Sequence, residues 1–184
     1  AKKVQKSALT APLHLDWIQV EGFNRMSHML GGDMYHWVRI SEHQVAVVLY
    51  DVMGHGVASA LVSMSIRSIL RELMNTSTDG EYIIQMLNQH VYELFETQGL
   101  DGFLVTAMYM LADREKGTIH YVNAAHPTGF LFHENAVQPL MSNTPILGLL
   151  PTIYAYQDTI ELQGRTRIVI YTDGLQPEEQ LLTS

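Results

Sequence analysis

The chain of 184 residues contains no cysteine. That absence excludes a disulfide framework, a thiolate nucleophile and a thiolate zinc site, and it suits a reducing compartment, so a cytoplasmic location is expected. Basic residues are scarce as well: 11 Lys and Arg stand against 19 Asp and Glu, for a formal net charge of -8. Neutralising a nucleic-acid backbone takes clustered Lys and Arg, so no nucleic-acid partner is expected, whereas acidic sites attract cations. Long apolar runs are missing too. The longest, "VAVVLY" over 45–50, is far too short to cross a bilayer, and the basic start "AKKVQKSAL" has no apolar stretch behind it, so no membrane partner is expected. Neither an internal repeat nor a low-complexity tract is visible. What is present, 47% hydrophobic and 16% charged residues, is enough for one compact domain with a substantial core.

Ala1, Val4 and Ala8 fall at helical spacing in a Lys- and Gln-rich stretch that stops at "APL", so residues 1–12 read as the tail of an upstream linker helix. Strand signals follow in "WIQVEGF", "MYHWVRI" and "HQVAVVLY"; "SEH" joins the last two as a hairpin, and the continuous apolar pattern of the third belongs to a strand covered on both faces. "VASALVSMSIRSILRELM" then reads as a buried helix. Tyr82, Ile83, Met86, Leu87, His90, Val91, Leu94 and Phe95 recur at three- and four-residue spacing, the mark of a second, amphipathic helix packed beside the first. From Phe103 the period shortens again, with "FLVTAMYML", "TIHYVNAA", "GFLFHE", "YAYQDTIEL" and "TRIVIYTD" separated by turn clusters. Strands, two helices and then more strands predict an α+β domain of antiparallel sheets.

Three aspartates share one grammar: Asp33 in "LGGDMY", Asp51 in "LYDVMGHG" and Asp173 in "IVIYTDGL". Each stands at the edge of an apolar, strand-like segment and beside glycine. A carboxylate at the margin of a core needs a cation, strong donors or open water, and no Lys or Arg lies in these motifs. Hard divalent cations such as Mg2+ or Mn2+ fit that need, because they take carboxylate, backbone carbonyl and water. The glycines would let a backbone carbonyl approach such an ion, and the carbonyl of Val52 is the candidate. Any one Asp-Gly is most often an ordinary turn; the set of three points to a hard-metal site.

These residues, together with "YDVMGHGVASALVS", "VTAMYMLADREKGTIHYVNAAHPTGFLF", "PILGLL" and "IYTDGLQPEE", resemble in order and spacing the SpoIIE/RsbU branch of the PPM-type (protein phosphatase 2C-like) serine/threonine phosphatases. The resemblance runs from Trp17 to Glu179. It implies a four-layer α/β/β/α sandwich of two antiparallel sheets flanked by helical pairs, over residues 13–184, with two divalent metal ions, Mn2+ or Mg2+, at one end. In such a site Asp51 would bridge both ions, Asp33 and Asp173 would each help hold one, and the Val52 carbonyl would complete the set. The implied reaction is attack of water on a phosphoserine or phosphothreonine, with no protein nucleophile. His55 is then a candidate acid for the leaving oxygen, an imidazole being able to give up a proton near neutrality. His126, in "NAAHP" where relatives more often have "NAGH", is expected to support a strand end. His36 and Trp37 follow Asp33 where many relatives carry a further aspartate. A final strand with an Asp-Asp pair, usual in relatives, has no counterpart after Asp173.

The implied role is a phosphatase output domain in bacterial signalling, of the two-component or sigma-factor partner-switching kind. Its implied substrate is a phosphorylated STAS-type anti-anti-sigma protein or another sigma-pathway protein, and an upstream receiver or sensor domain would control it. The alternative is a phosphatase-like adaptor, as in RssB-type response regulators, that binds a sigma factor or anti-sigma-pathway protein without catalysis. The small residues of the first helix also suit a homodimer surface, although they serve ordinary close packing equally well.

Overall fold

The computed structural model describes residues 9–24, 31–54, 56–98, 104–134, 136–162 and 164–173, the side chains of residues 97 and 98 excepted. The helical reading of Ala1, Val4 and Ala8 lies outside these residues. From Leu9 the chain already rests on the domain: Leu9 packs against the main core, Thr10 Oγ1 is 2.7 Å from His36 Nδ1, and Trp37 Nε1 donates to the Ala11 carbonyl.

Two short strands, β1 (Leu13–His14) and β2 (Gln19–Val20), form an antiparallel ribbon. The longer strand expected over 17–23 is cut back because the turn uses its start: Leu15 N–H bonds to the Ile18 carbonyl at 2.9 Å. β3 (Met34–Arg39) and β4 (Gln44–Val52) make the expected hairpin, closed where Ile40 and Ser41 N–H both reach the Gln44 carbonyl. Two helices follow, α1 (Val57–Thr76) and α2 (Gly80–Gln98). Between them, Ser77 N–H bonds to the Leu73 carbonyl, and Asp79 Oδ1 accepts the Tyr82 N–H as the cap of α2.

The remaining strands are β5 (Val105–Asp113), β6 (Thr118–Ala124), β7 (Gly129–His133), β8 (Ala136–Leu140), β9 (Asp158–Glu161) and β10 (Thr166–Val169). A five-stranded antiparallel sheet has the order β3-β4-β5-β6-β9, and a three-stranded one the order β10-β7-β8. β8 was not foreseen, since Pro139 weakens its signal; it is an edge strand, where a missing N–H is tolerated. β9 is shorter than "YAYQDTIEL" suggests because side chains take the backbone donors before it. Tyr156 N–H bonds to Thr144 Oγ1, and Gln157 N–H to Glu81 Oε1.

Alternation along the five-stranded sheet divides the core in two. Val48, Tyr50, Val52, Val105, Ala107, Tyr109 and Leu111 face α1 and α2, against Ile66, Leu70, Ile83, Leu87 and Val91. Met108, Met110, Ala112, Ile119 and Tyr121 face the other way, meeting Leu131 and Leu140 of the smaller sheet. Helical pair, sheet and sheet thus stack as three layers of the expected α+β sandwich; among the described residues no helix covers the outer face of the smaller sheet. No helix among them is long and apolar enough to cross a membrane.

Candidate metal centre

The hairpin register places the first two aspartates together. Met34 pairs with Tyr50, so the residue before it, Asp33, comes opposite Asp51 just past the last ladder pair. On the other side of β4, Asp51 pairs with Thr106. Because Tyr50 and Val52 belong to the core beneath the helices, Asp51 between them turns to the opposite, inter-sheet side, as does Asp33 next to the helix-facing Met34. The sheet therefore ends in a cross-strand row of Asp33, Asp51 and Thr106, open at its margin. Asp51 is half-buried and Val52 fully buried.

Like charges directly opposite each other across a ladder repel. Burial first, then a hydrogen bond to Asp33, its charge and that of Asp173, push the Asp51 carboxyl up to about 8. Every charge named in that shift is a carboxylate. Asp173 stands exposed at the rim, four residues past the end of β10, and the residue before it reaches inward: Thr172 Oγ1 donates to Asp33 Oδ2 at 2.9 Å. All three aspartates singled out in the sequence thus act on one place. Among the described residues no three His, Asp or Glu side chains are drawn into a single ligand group; Asp33 and Asp51 touch, and Asp173 acts through its charge.

Gly32 completes the geometry. A Cβ there would collide with the Val52 carbonyl oxygen and lie 3.2 Å from Asp51 Oδ1. The carbonyl and the carboxylate oxygen therefore share a cradle that only glycine leaves open. A set made of carboxylates and a main-chain carbonyl, without nitrogen or sulfur, matches the preference of Mg2+ and Mn2+. The residues present fit the expected ions. His55, proposed from the sequence as a proton donor, lies outside the described residues.

His126 is 3% exposed and sits between the row and the Asp173 segment. Its Nδ1 is 2.8 Å from Thr106 Oγ1, its N–H bonds to Asn123 Oδ1, and its Nε2 lies toward the Tyr171 main chain without a well-formed hydrogen bond. Burial, only partly opposed by Tyr171 and by the nearby Asp33 charge, lowers its pKa to about 4, so the ring is neutral at pH 7. His36 is placed elsewhere. It shares the helix-facing side of β3 with Met34, and burial together with Arg67 and Arg71 lowers its pKa. Trp37 stacks on Tyr35 with ring centroids 4.9 Å apart. Sequence reasoning missed Thr106 and Thr172, because threonine in a strand is an ordinary β-former; only register and tertiary contact distinguish them.

Known proteins are similar to this chain in sequence and fold. The profile of the family described as Stage II sporulation protein E (SpoIIE) matches residues 41–180. Phosphoserine phosphatase RsbP of Bacillus subtilis (strain 168) is 30% identical over 176 residues, which are 95% of this chain and 44% of RsbP. The chain spans less than half the length of the curated relatives it matches. Among solved structures, RsbX in complex with magnesium superposes with a TM-score of 0.68 at 18% identity, covering 85% of this chain and 73% of that one. The SiaA-PP2C domain of Pseudomonas aeruginosa superposes with the same score at 20% identity, covering 79% and 57%. These two likenesses show the fold: two helices over antiparallel sheets, as in PP2C-type structures.

Proposed function

We propose, from the premise that this chain belongs to the SpoIIE family, that it is a metal-dependent phosphatase domain acting on phosphoserine or phosphothreonine in a partner protein. The observation that carries this reading is the meeting of Asp33 and Asp51 across the strand ends, with Gly32 keeping the Val52 carbonyl beside them. The name of RsbP, phosphoserine phosphatase, supports the same chemistry. Asp33, Asp51, the Val52 carbonyl and Asp173 would hold two divalent ions, Mn2+ or Mg2+, and these would supply a water nucleophile at neutral pH and offset charge on the phosphoryl oxygens. The chain's own part is to hold the Asp33 and Asp51 carboxylates and the Val52 carbonyl together at the strand ends, and His55 is the proposed donor to the leaving serine or threonine oxygen.

The proposed substrate is a phosphorylated STAS-type anti-anti-sigma protein or another sigma-pathway protein. The proposed setting is the cytoplasm, behind a receiver or sensor domain joined through residues 1–12. The test is hydrolysis of p-nitrophenyl phosphate and of a phosphoserine-bearing STAS protein by the full-length protein with added Mn2+. Asp51→Ala is expected to lower kcat/KM on the order of a thousandfold, the equivalent of several kcal/mol of lost charge stabilisation. A wild type that binds no Mn2+ and hydrolyses neither substrate would overturn the reading. If that inert protein still captured a sigma factor, the adaptor alternative would take its place.

A further inference from the structure

Thr172 is separated from Asp33 by 139 positions, yet its hydroxyl donates to Asp33 Oδ2 at 2.9 Å. That bond occupies one oxygen of the carboxylate and leaves Oδ1 as the oxygen without this donor. It also fixes the residue next to Asp173 against the end of β3. A buried imidazole lies near both. His126 is held through Thr106, the cross-strand neighbour of Asp51, and its ring lies toward the main chain of Tyr171, the residue before Thr172. The Thr172 hydroxyl therefore joins the segment 171–173 to the row of strand ends, with the buried His126 ring close by.

We propose that Thr172 is a positioning residue of the carboxylate centre. Its hydroxyl sets which oxygen of Asp33 is presented to a cation, and it docks the Asp173 segment at that spot. The inference rests on the metal-dependent reading above and adds the device that fixes its geometry. Without the hydroxyl, Asp33 keeps its contact with Asp51 but loses the donor that fixes Oδ2, and the 171–173 segment loses its side-chain tie to the end of β3.

Thr172→Val keeps shape and β-preference but removes the donor, whereas Thr172→Ser keeps the donor. Mn2+ affinity is read by calorimetric titration and by the Mn2+ electron paramagnetic resonance signal. Thermal unfolding in chelator reports the metal-free fold. Thr172→Val is expected to weaken Mn2+ binding about 10- to 100-fold, as loss of a ligand-orienting hydrogen bond does, with the metal-free melting temperature unchanged and binding restored in Thr172→Ser. Wild-type affinity in Thr172→Val would overturn the proposal. Equal weakening in both variants, or weakening that follows a lowered metal-free melting temperature, would overturn it as well. A wild type that binds no Mn2+ would instead remove the metal-dependent reading, and this proposal with it.

Discussion

Ala125 has φ of 50°, in the left-handed region where a Cβ is strained, at the turn that delivers His126 to its place under the strand ends. Relatives that read "NAGH" put glycine at that position, and the backbone here gives the physical reason. The Ala125→Gly variant is expected to be more stable by about 1 kcal/mol, the left-handed penalty less the extra entropy of an unfolded glycine. Chemical denaturation with an unchanged slope would check it. At this scale the sequence was informative about charge and silent about geometry. Asp33, Asp51 and Asp173 are legible because a carboxylate beside glycine at the end of an apolar strand has few reasons to be there. Thr106 and Thr172 are not, since their role depends on which strand lies next to which.

Helices and hairpins were easier to read than the segments that pack over them. The apolar spacing of α1 and α2 and the alternation of β3 to β7 come from burial against a sheet, which leaves its period in the sequence. The stretch from Leu140 to Gln157 has no such period, because side chains on neighbouring elements hold it. Asn123 ties one end: its Nδ2 donates to the Leu140 carbonyl, and its main-chain carbonyl accepts the N–H groups of Asn143 and Thr144. Asn88, fully buried in the middle of α2, ties the stretch midway: its Oδ1 accepts the Gly148 N–H and its Nδ2 donates to the Leu150 carbonyl, both at 3.0 Å. An asparagine inside a helix signals nothing by itself. Asn88→Ala is expected to cost about 1–3 kcal/mol, since it leaves main-chain groups without their partner, and faster amide exchange at Gly148 would localise the loss.

For the molecule as a whole, the proposed metal centre would make stability depend on pH in opposite senses with and without metal. Asp51 holds its proton up to about 8 in the folded domain, whereas an unfolded carboxylate releases it near 4. The folded state thus binds more protons across that window, and the metal-free domain loses stability as pH rises from about 4 to about 8. Buried His126 acts the other way: with a folded pKa of about 4 against about 6.5 unfolded, it costs stability as pH falls through that range, and His36 and His90 are shifted in the same direction. Melting temperature in chelator is therefore expected to fall toward pH 8, and Asp51→Asn should flatten that limb. Saturating Mn2+ should reverse it, because metal binding needs the carboxylate free of its proton.

The bond from Thr172 to Asp33 spans 139 positions. The β3–β4 hairpin, the two helices and the β5–β6 hairpin can all pair with neighbours close in sequence, but this contact waits until the 139 positions after Asp33 have left the ribosome. At about 5–20 residues per second, those 139 positions take about 7–28 s to synthesise, during which a nascent domain holds Asp33 and Asp51 in register without the segment that secures them. Until Thr172 emerges, Asp33 stands without the donor that fixes its Oδ2.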